Sequence, residues 1–179
     1  AARDGTVPTQ NSENVLPFQK EKAKKIVVLG RLGNRGNIGD YGSSRVFPAY
    51  VKTPLEGICD LLPDSEVIYY GGEDLQHAEK LAAEADAVVF VVGYSHDDEG
   101  EYVAADQMDN YTEALGGDRK NSLGLHENEV ELLRRVGPVN KNSAAVLIGG
   151  NMVMVTEWKD SVAAILMAAF GPSDRFFAT

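Results

Sequence analysis

Residues 88–92 read Val-Val-Phe-Val-Val, five apolar residues in a row and rich in β-branched types. A short run with no polar side is what a strand buried on both faces requires, as in a parallel sheet covered by helices. The chain then continues Gly93-Tyr-Ser-His-Asp-Asp-Glu-Gly-Glu101, which puts four carboxylates, Asp97, Asp98, Glu99 and Glu101, within five positions. In open α/β sheets the crevice at the carboxyl ends of the strands is the usual ligand site. A carboxylate delivered there is well placed for acid/base work. The same acids serve equally well as a solvated loop, and composition alone favours that reading. A calcium loop would need Asp-x-Asp-x-Asp-Gly spacing, which is absent.

The neighbouring segments extend the pattern. Lys25-Ile-Val-Val-Leu-Gly30 is a strand that opens a loop with Gly at 30, 33, 36, 39 and 42. The dinucleotide fingerprint needs Gly-x-Gly-x-x-Gly leading directly into a helix. Here the spacing is Gly-x-x-Gly-x-x-Gly and the next helix starts only near Thr53, so the glycines read as a tight loop near a rim. Thr53-Pro-Leu-Glu56 is a helix start, with Thr53 as N-cap, Pro54 in the first turn and Glu56 three residues after the cap. That helix runs to about Leu62. Residues 66–70 form a second strand. Apolar residues at 75, 78, 81, 82 and 85 mark a helix. A further helix is expected at 126–136 and a strand at 143–148. Residues 152–156 are strand or loop, residues 159–162 a short helical turn, and residues 162–170 a last strand. The segment 93–124 is polar and too long for an idle connection. This order predicts an α/β fold: a mostly parallel sheet flanked by helices on both faces, an α/β sandwich with flavodoxin-like layering.

At 179 residues, 44% of them hydrophobic, the chain can bury one sizeable core. The domain is placed at 24–172, after a polar surface segment at 1–23 and before a tail at 173–179. The formal net charge of -10 argues against nucleic acid, whose phosphates need a basic face, and against an anionic membrane surface. No apolar run approaches the ~20 residues that span a bilayer, and no leader pattern opens the chain. A periplasmic or secreted location therefore implies that a leader has been removed. The single cysteine, Cys59, excludes an intrachain disulfide and is expected to pack in the core. Trp158 is expected to cap the sheet edge. His77 and His126 read as surface residues, while His96 borders the acids. No histidine pair has metal-ligand spacing, and neither metal nor cofactor is expected. Asp118 and Arg119, late in the long loop, either fix its shape by hydrogen bonding or touch a polar ligand. With His96 they are the candidate substrate-binding residues.

Several stretches together resemble the C-terminal α/β-sandwich domain of family 3 glycoside hydrolases, the β-glucosidase and β-xylosidase family. They are Lys25-Ile-Val-Val-Leu-Gly30, Gly39-Asp-Tyr-Gly-Ser-Ser-Arg-Val46, Val51-Lys-Thr-Pro-Leu-Glu-Gly-Ile58, Ala85-Asp-Ala-Val-Val-Phe-Val-Val-Gly93, Asp98-Glu-Gly-Glu-Tyr102, Gly117-Asp-Arg-Lys-Asn-Ser-Leu123, Gly149-Gly-Asn-Met-Val-Met-Val-Thr-Glu-Trp158 and Ala163-Ala-Ile-Leu166. The resemblance implies a retaining mechanism with two carboxyl groups about 5–5.5 Å apart. In such enzymes the nucleophile is an Asp on a preceding β/α barrel, and the acid/base is a Glu from the sandwich domain, in a Glu-Gly pattern before Asp-Arg. On this chain that Glu is Glu99, with Glu101 the runner-up. The implied partners are a β-linked glucoside or oligosaccharide and a barrel domain, in cis or in trans. The chain has no barrel, and Phe170-Gly-Pro-Ser-Asp-Arg-Phe-Phe-Ala-Thr179 departs from the family's usual Gly-Gln-Glu-Gly-Gly. Alone it is expected to be inactive or nearly so. The alternative is a carbohydrate-binding or scaffold module that keeps the fold without the chemistry.

Overall fold

Side-chain alternation along the central strands divides the apolar residues between two cores. In the computed structural model, which describes residues 6–38, 47–104, 115–117, 119 and 122–169, β2 (Lys25–Leu29) and β4 (Ala87–Gly93) run parallel and adjacent. Val27, Leu29, Val88, Phe90 and Val92 enter one core, and Ile26, Val28, Val89 and Val91 the other. All seven residues of β4 are buried, as expected of a central strand covered on both faces.

The main sheet has six strands. β3 (Glu66–Tyr70) flanks β2, and β7 (Ser143–Gly149) and β8 (Ala164–Ala169) continue beyond β4, all parallel. β1 (Thr6–Asn11) closes the far edge, antiparallel to β8, giving the order β1-β8-β7-β4-β2-β3. α1 (Pro54–Leu61) packs through Ile58 into the core that holds Ile26 and Val28. α2 (Leu75–Glu84) and α3 (Glu127–Val136) pack into the other. The chain steps outward from β2 to β3 and then returns across the sheet to β4, β7 and β8. Crossovers of one hand put helices on opposite faces when the direction reverses, which accounts for this split. The reversal leaves a crevice between the carboxyl ends of β2 and β4.

Local chemistry sets the ends of the elements. The Thr53 side chain accepts from the Glu56 N–H, and Glu56 accepts from the Thr53 N–H, with Pro54 in the first turn. Asp74 accepts from the N–H groups of Gln76 and His77 at the start of α2. α3 carries Glu127 and Glu129 in its first turn and Arg134 and Arg135 in its last, the arrangement that a helix dipole favours.

Some segments depart from the expectation. Residues 6–11 form a strand, although they are mostly exposed and carry no apolar alternation. Their register is held by backbone pairing and by Gln10, whose side-chain amide donates to the Lys159 and Val162 carbonyls at 3.0 and 2.8 Å. The long loop contains a two-stranded antiparallel pair, β5 (Gly100–Val103) and β6 (Leu115–Gly117). Residues 152–156 contribute only a single bridge, between Gly124 and Met154. Cys59 is exposed and not packed in the core, because α1 faces the core through Ile58, flanked by the partly buried Leu55 and by Leu62 just past the helix, and turns Cys59 outward. Trp158 is 1% exposed, inside the α3-side core and not at the sheet edge, where its large ring has the most apolar area to hide.

Candidate active site

Two glycines end the strands that border the crevice. Gly30 and Gly93 have φ of +106° and +127°, where L side chains are strained. A Cβ on Gly30 would meet the Val91 carbonyl oxygen at 2.4 Å, and one on Gly93 would meet that of Ile148 at 1.9 Å. Beyond Gly93 the chain turns back on itself. The N–H groups of Asp98 and Glu99 donate to the Ser95 carbonyl at 3.0 and 3.1 Å. The Ser95 N–H and hydroxyl donate to the Asp98 carboxylate at 2.8 and 3.1 Å. This turn brings Glu99 back over the sheet end instead of releasing it into solvent.

Glu99 is 6% exposed. The Gly150 N–H, just past β7, donates to Oε1 at 2.8 Å, and Arg119 Nε lies 2.8 Å from Oε2. Arg119 also donates to the Leu123 carbonyl at 3.3 Å and to that of Met152, and its guanidinium stacks 4.2 Å from the centre of the Tyr94 ring. The Tyr94 hydroxyl donates to the Gly124 carbonyl. Loop, ring, arginine and carboxylate thus form one packed unit at the carboxyl ends of β4 and β7. Glu101 lies exposed on β5.

A second ionic group closes the crevice from β2. Arg31 Nη2 donates to Asp98 and to the Gly93 carbonyl, both at 2.7 Å, and its Nε is 3.3 Å from Glu129 on α3. Glu129 accepts from the Gly93 N–H at 3.3 Å. His126 Nε2, at the N-cap of α3, sits 3.0 Å from Asp98 Oδ1. Burial is the dominant influence on Glu129 and, against the opposing pull of Arg31, pushes its carboxyl up to about 7. Burial also pushes Asp98 upward, but the Ser95 N–H and Arg31 outweigh it and hold that carboxyl below its ordinary value. Asp97 is likewise held low: burial opposes, while Arg35 and His96 prevail.

The candidates named from the sequence fall into distinct places. Glu99 and Arg119 are brought into direct contact. His96 Nε2 lies 2.9 Å from Asp97 Oδ1, beside the turn and not at Glu99. Asp118 and the Gly39–Val46 motif lie outside the described residues. Arg31, Glu129 and His126 were not singled out. His126 is half-buried against Asp98 and is not a plain surface residue. Glu129 had one sequence signal: it is an acid flanked on α3 by the buried residues Val130, Leu132 and Leu133.

The fold and this cluster define a class: a mostly parallel α/β domain that holds a buried carboxylate at the carboxyl edge of its sheet. Comparison with known proteins identifies the family. The description "Glycosyl hydrolase family 3 C-terminal domain" matches residues 9–175, and the chain belongs to that family. It is 28% identical over 180 residues to a β-xylosidase/α-L-arabinofuranosidase 1 of Medicago sativa subsp. varia, covering 95% of this chain and 21% of that protein. It is 31% identical over 161 residues to the β-xylosidase/α-L-arabinofuranosidase 2 of the same plant, covering 85% and 18%. The crystal structure of a β-D-glucoside glucohydrolase from Trichoderma reesei shares the fold with a TM-score of 0.78 at 20% identity, over 98% of this chain and 26% of that one. The chain therefore spans about a fifth of the length of the curated relatives it matches.

Proposed function

We propose that this chain is the sandwich part of a retaining β-glycosidase acting on a β-linked glucoside or oligosaccharide. In this reading it contributes the acid/base carboxylate and part of the sugar site, and the nucleophile comes from a barrel domain in cis or in trans. The family membership and the relatives' names, β-xylosidase and β-glucosidase, support the reaction class. The single observation that carries the residue assignment is the seating of Glu99, followed by Gly100, at the carboxyl ends of β4 and β7.

Retaining hydrolysis asks two things of such a group. It must first donate a proton to the leaving oxygen, and then, ionised, take one from the attacking water. The Gly150 N–H and Arg119 each hold one of its carboxyl oxygens. For the first step the grip of Arg119 must loosen as the sugar arrives. Glu101, exposed on β5 in the same loop, supplies a second reading. The contacts of Glu99 with Gly150 and Arg119 support a third, a sugar-binding or scaffold module in which Glu99 only braces the loop.

Leaving-group dependence in the complete enzyme separates the three. Glu99→Gln should slow aryl β-glycosides with poor leaving groups far more than activated ones. The same selective slowing in Glu101→Gln, and not in Glu99→Gln, transfers the role to Glu101. An unchanged contrast in both variants eliminates an acid/base role for this loop.

A further inference from the structure

We infer that Arg31 and Glu129 are positioning residues that clamp Gly93, Arg31 at its carbonyl and Glu129 at its N–H, and so fix the acidic loop at the sheet end. The inference rests on the acid/base reading above, but it does not depend on which glutamate carries the proton.

Gly93 is the last residue of β4 and the first point at which the loop can diverge. Its carbonyl takes a hydrogen bond from Arg31 at 2.7 Å, and its N–H donates to Glu129 at 3.3 Å. The two clamping side chains lie 3.3 Å apart, so each orients the other. Arg31 then spans the crevice to Asp98 at 2.7 Å, the residue immediately before Glu99. Asp98 is in turn held by the Ser95 N–H and hydroxyl. Two elements, the loop after β2 and the start of α3, thereby converge on one residue of β4. Solvated acids need no such convergence. A side chain whose reacting atom must be placed to within a fraction of an ångström does. A planar guanidinium with several donors suits the three-way contact, which a lysine ammonium on a flexible stem does not reproduce.

Two measurements test this separately. In the chain itself, amide hydrogen exchange at Ser95, Asp98 and Glu99 should speed by roughly tenfold or more in Arg31→Ala and Arg31→Lys, with β7 amides unaffected. Unchanged exchange overturns the clamp whatever the loop does. In the complete enzyme, Arg31→Lys should lower kcat for poor leaving groups on the order of 100-fold with KM nearly constant. Added guanidinium ion should restore part of that loss in Arg31→Ala. A loss equal for all leaving groups, and matching the unfolded fraction, overturns the positioning role. Glu129→Gln, which retains an acceptor for Gly93, should show the smaller effect in both assays; an effect as large as that of Arg31→Ala overturns the shared clamp. If exchange speeds up while Glu99→Gln and Glu101→Gln leave the leaving-group contrast intact, the acid/base reading fails and the anchoring of the loop stands.

Discussion

Replacing Glu129 with Gln should change how the stability of the domain depends on pH. The carboxyl is buried and pushed from 4.5 up to about 7. Between those values the folded state binds a proton that the unfolded state does not, so stability falls as pH rises through this window. The benefit is complete below about 4.5 and gone above about 7. A displacement of this size corresponds to about 3 kcal/mol. Glutamine does not titrate, yet its carbonyl can take the place of Oε1, which lies 3.3 Å from both the Gly93 nitrogen and Arg31 Nε. The expected result is that the variant gains about 3 kcal/mol relative to the parent between pH 4.5 and 8. The neighbouring residues Arg31, Asp98 and His126 are present in both proteins, so the difference reports the replacement of Glu129. Urea unfolding at a series of pH values reads it directly, as a relative midpoint shift of roughly 1.5 M. A difference that stays flat, or that moves against the variant as pH rises, would refute a desolvated Glu129.

Other residues carry independent expectations. Arg119→Ala leaves the buried Glu99 carboxylate without its ionic partner and should cost about 3–5 kcal/mol in chemical unfolding, whereas removing both charges together should cost less. Gly93→Ala forces a Cβ to 1.9 Å from the Ile148 carbonyl oxygen at a positive φ, and a thermal melt should show a large drop in midpoint or no folded protein. Asp98→Asn should flatten the acid limb of the stability profile. The low-held Asp98 contributes stability above its unfolded value near 4, and that contribution is lost as pH falls through its lower folded value. Thr53→Ala removes the capping box of α1 and should cost about 1 kcal/mol by the same unfolding assay.

The layer architecture was legible because its signals are local. An all-apolar run at 88–92, a Thr-Pro-Leu-Glu helix start and 3.6-residue periodicities each name an element without tertiary information. Position after a buried strand marks all four acids alike, and only the resemblance, through its Glu-Gly pattern before Asp-Arg, points to Glu99 among them. What brackets it was not legible. Arg31 is 67 residues from Asp98, and only the parallel pairing of β2 with β4 brings their following loops together. Glu129 looked like an ordinary acid in a first helical turn, where the dipole alone explains its presence. β1 escaped because an edge strand with exposed side chains has no alternation to display. Cys59 shows the reverse error: an apolar neighbourhood in sequence does not fix the face of a two-turn helix on which a residue falls.

The central claim, that this loop delivers the acid/base carboxylate, is tested most directly by azide rescue in the complete enzyme with an activated aryl β-glycoside. Removing the acid/base leaves the glycosyl-enzyme intermediate without a base to activate water, and azide needs none. Glu99→Ala is predicted to accelerate on adding azide and to yield the β-glycosyl azide, while Arg119→Ala and the parent do not. Failure of both Glu99→Ala and Glu101→Ala to form the azide product, with parental hydrolysis rates retained, would contradict the account.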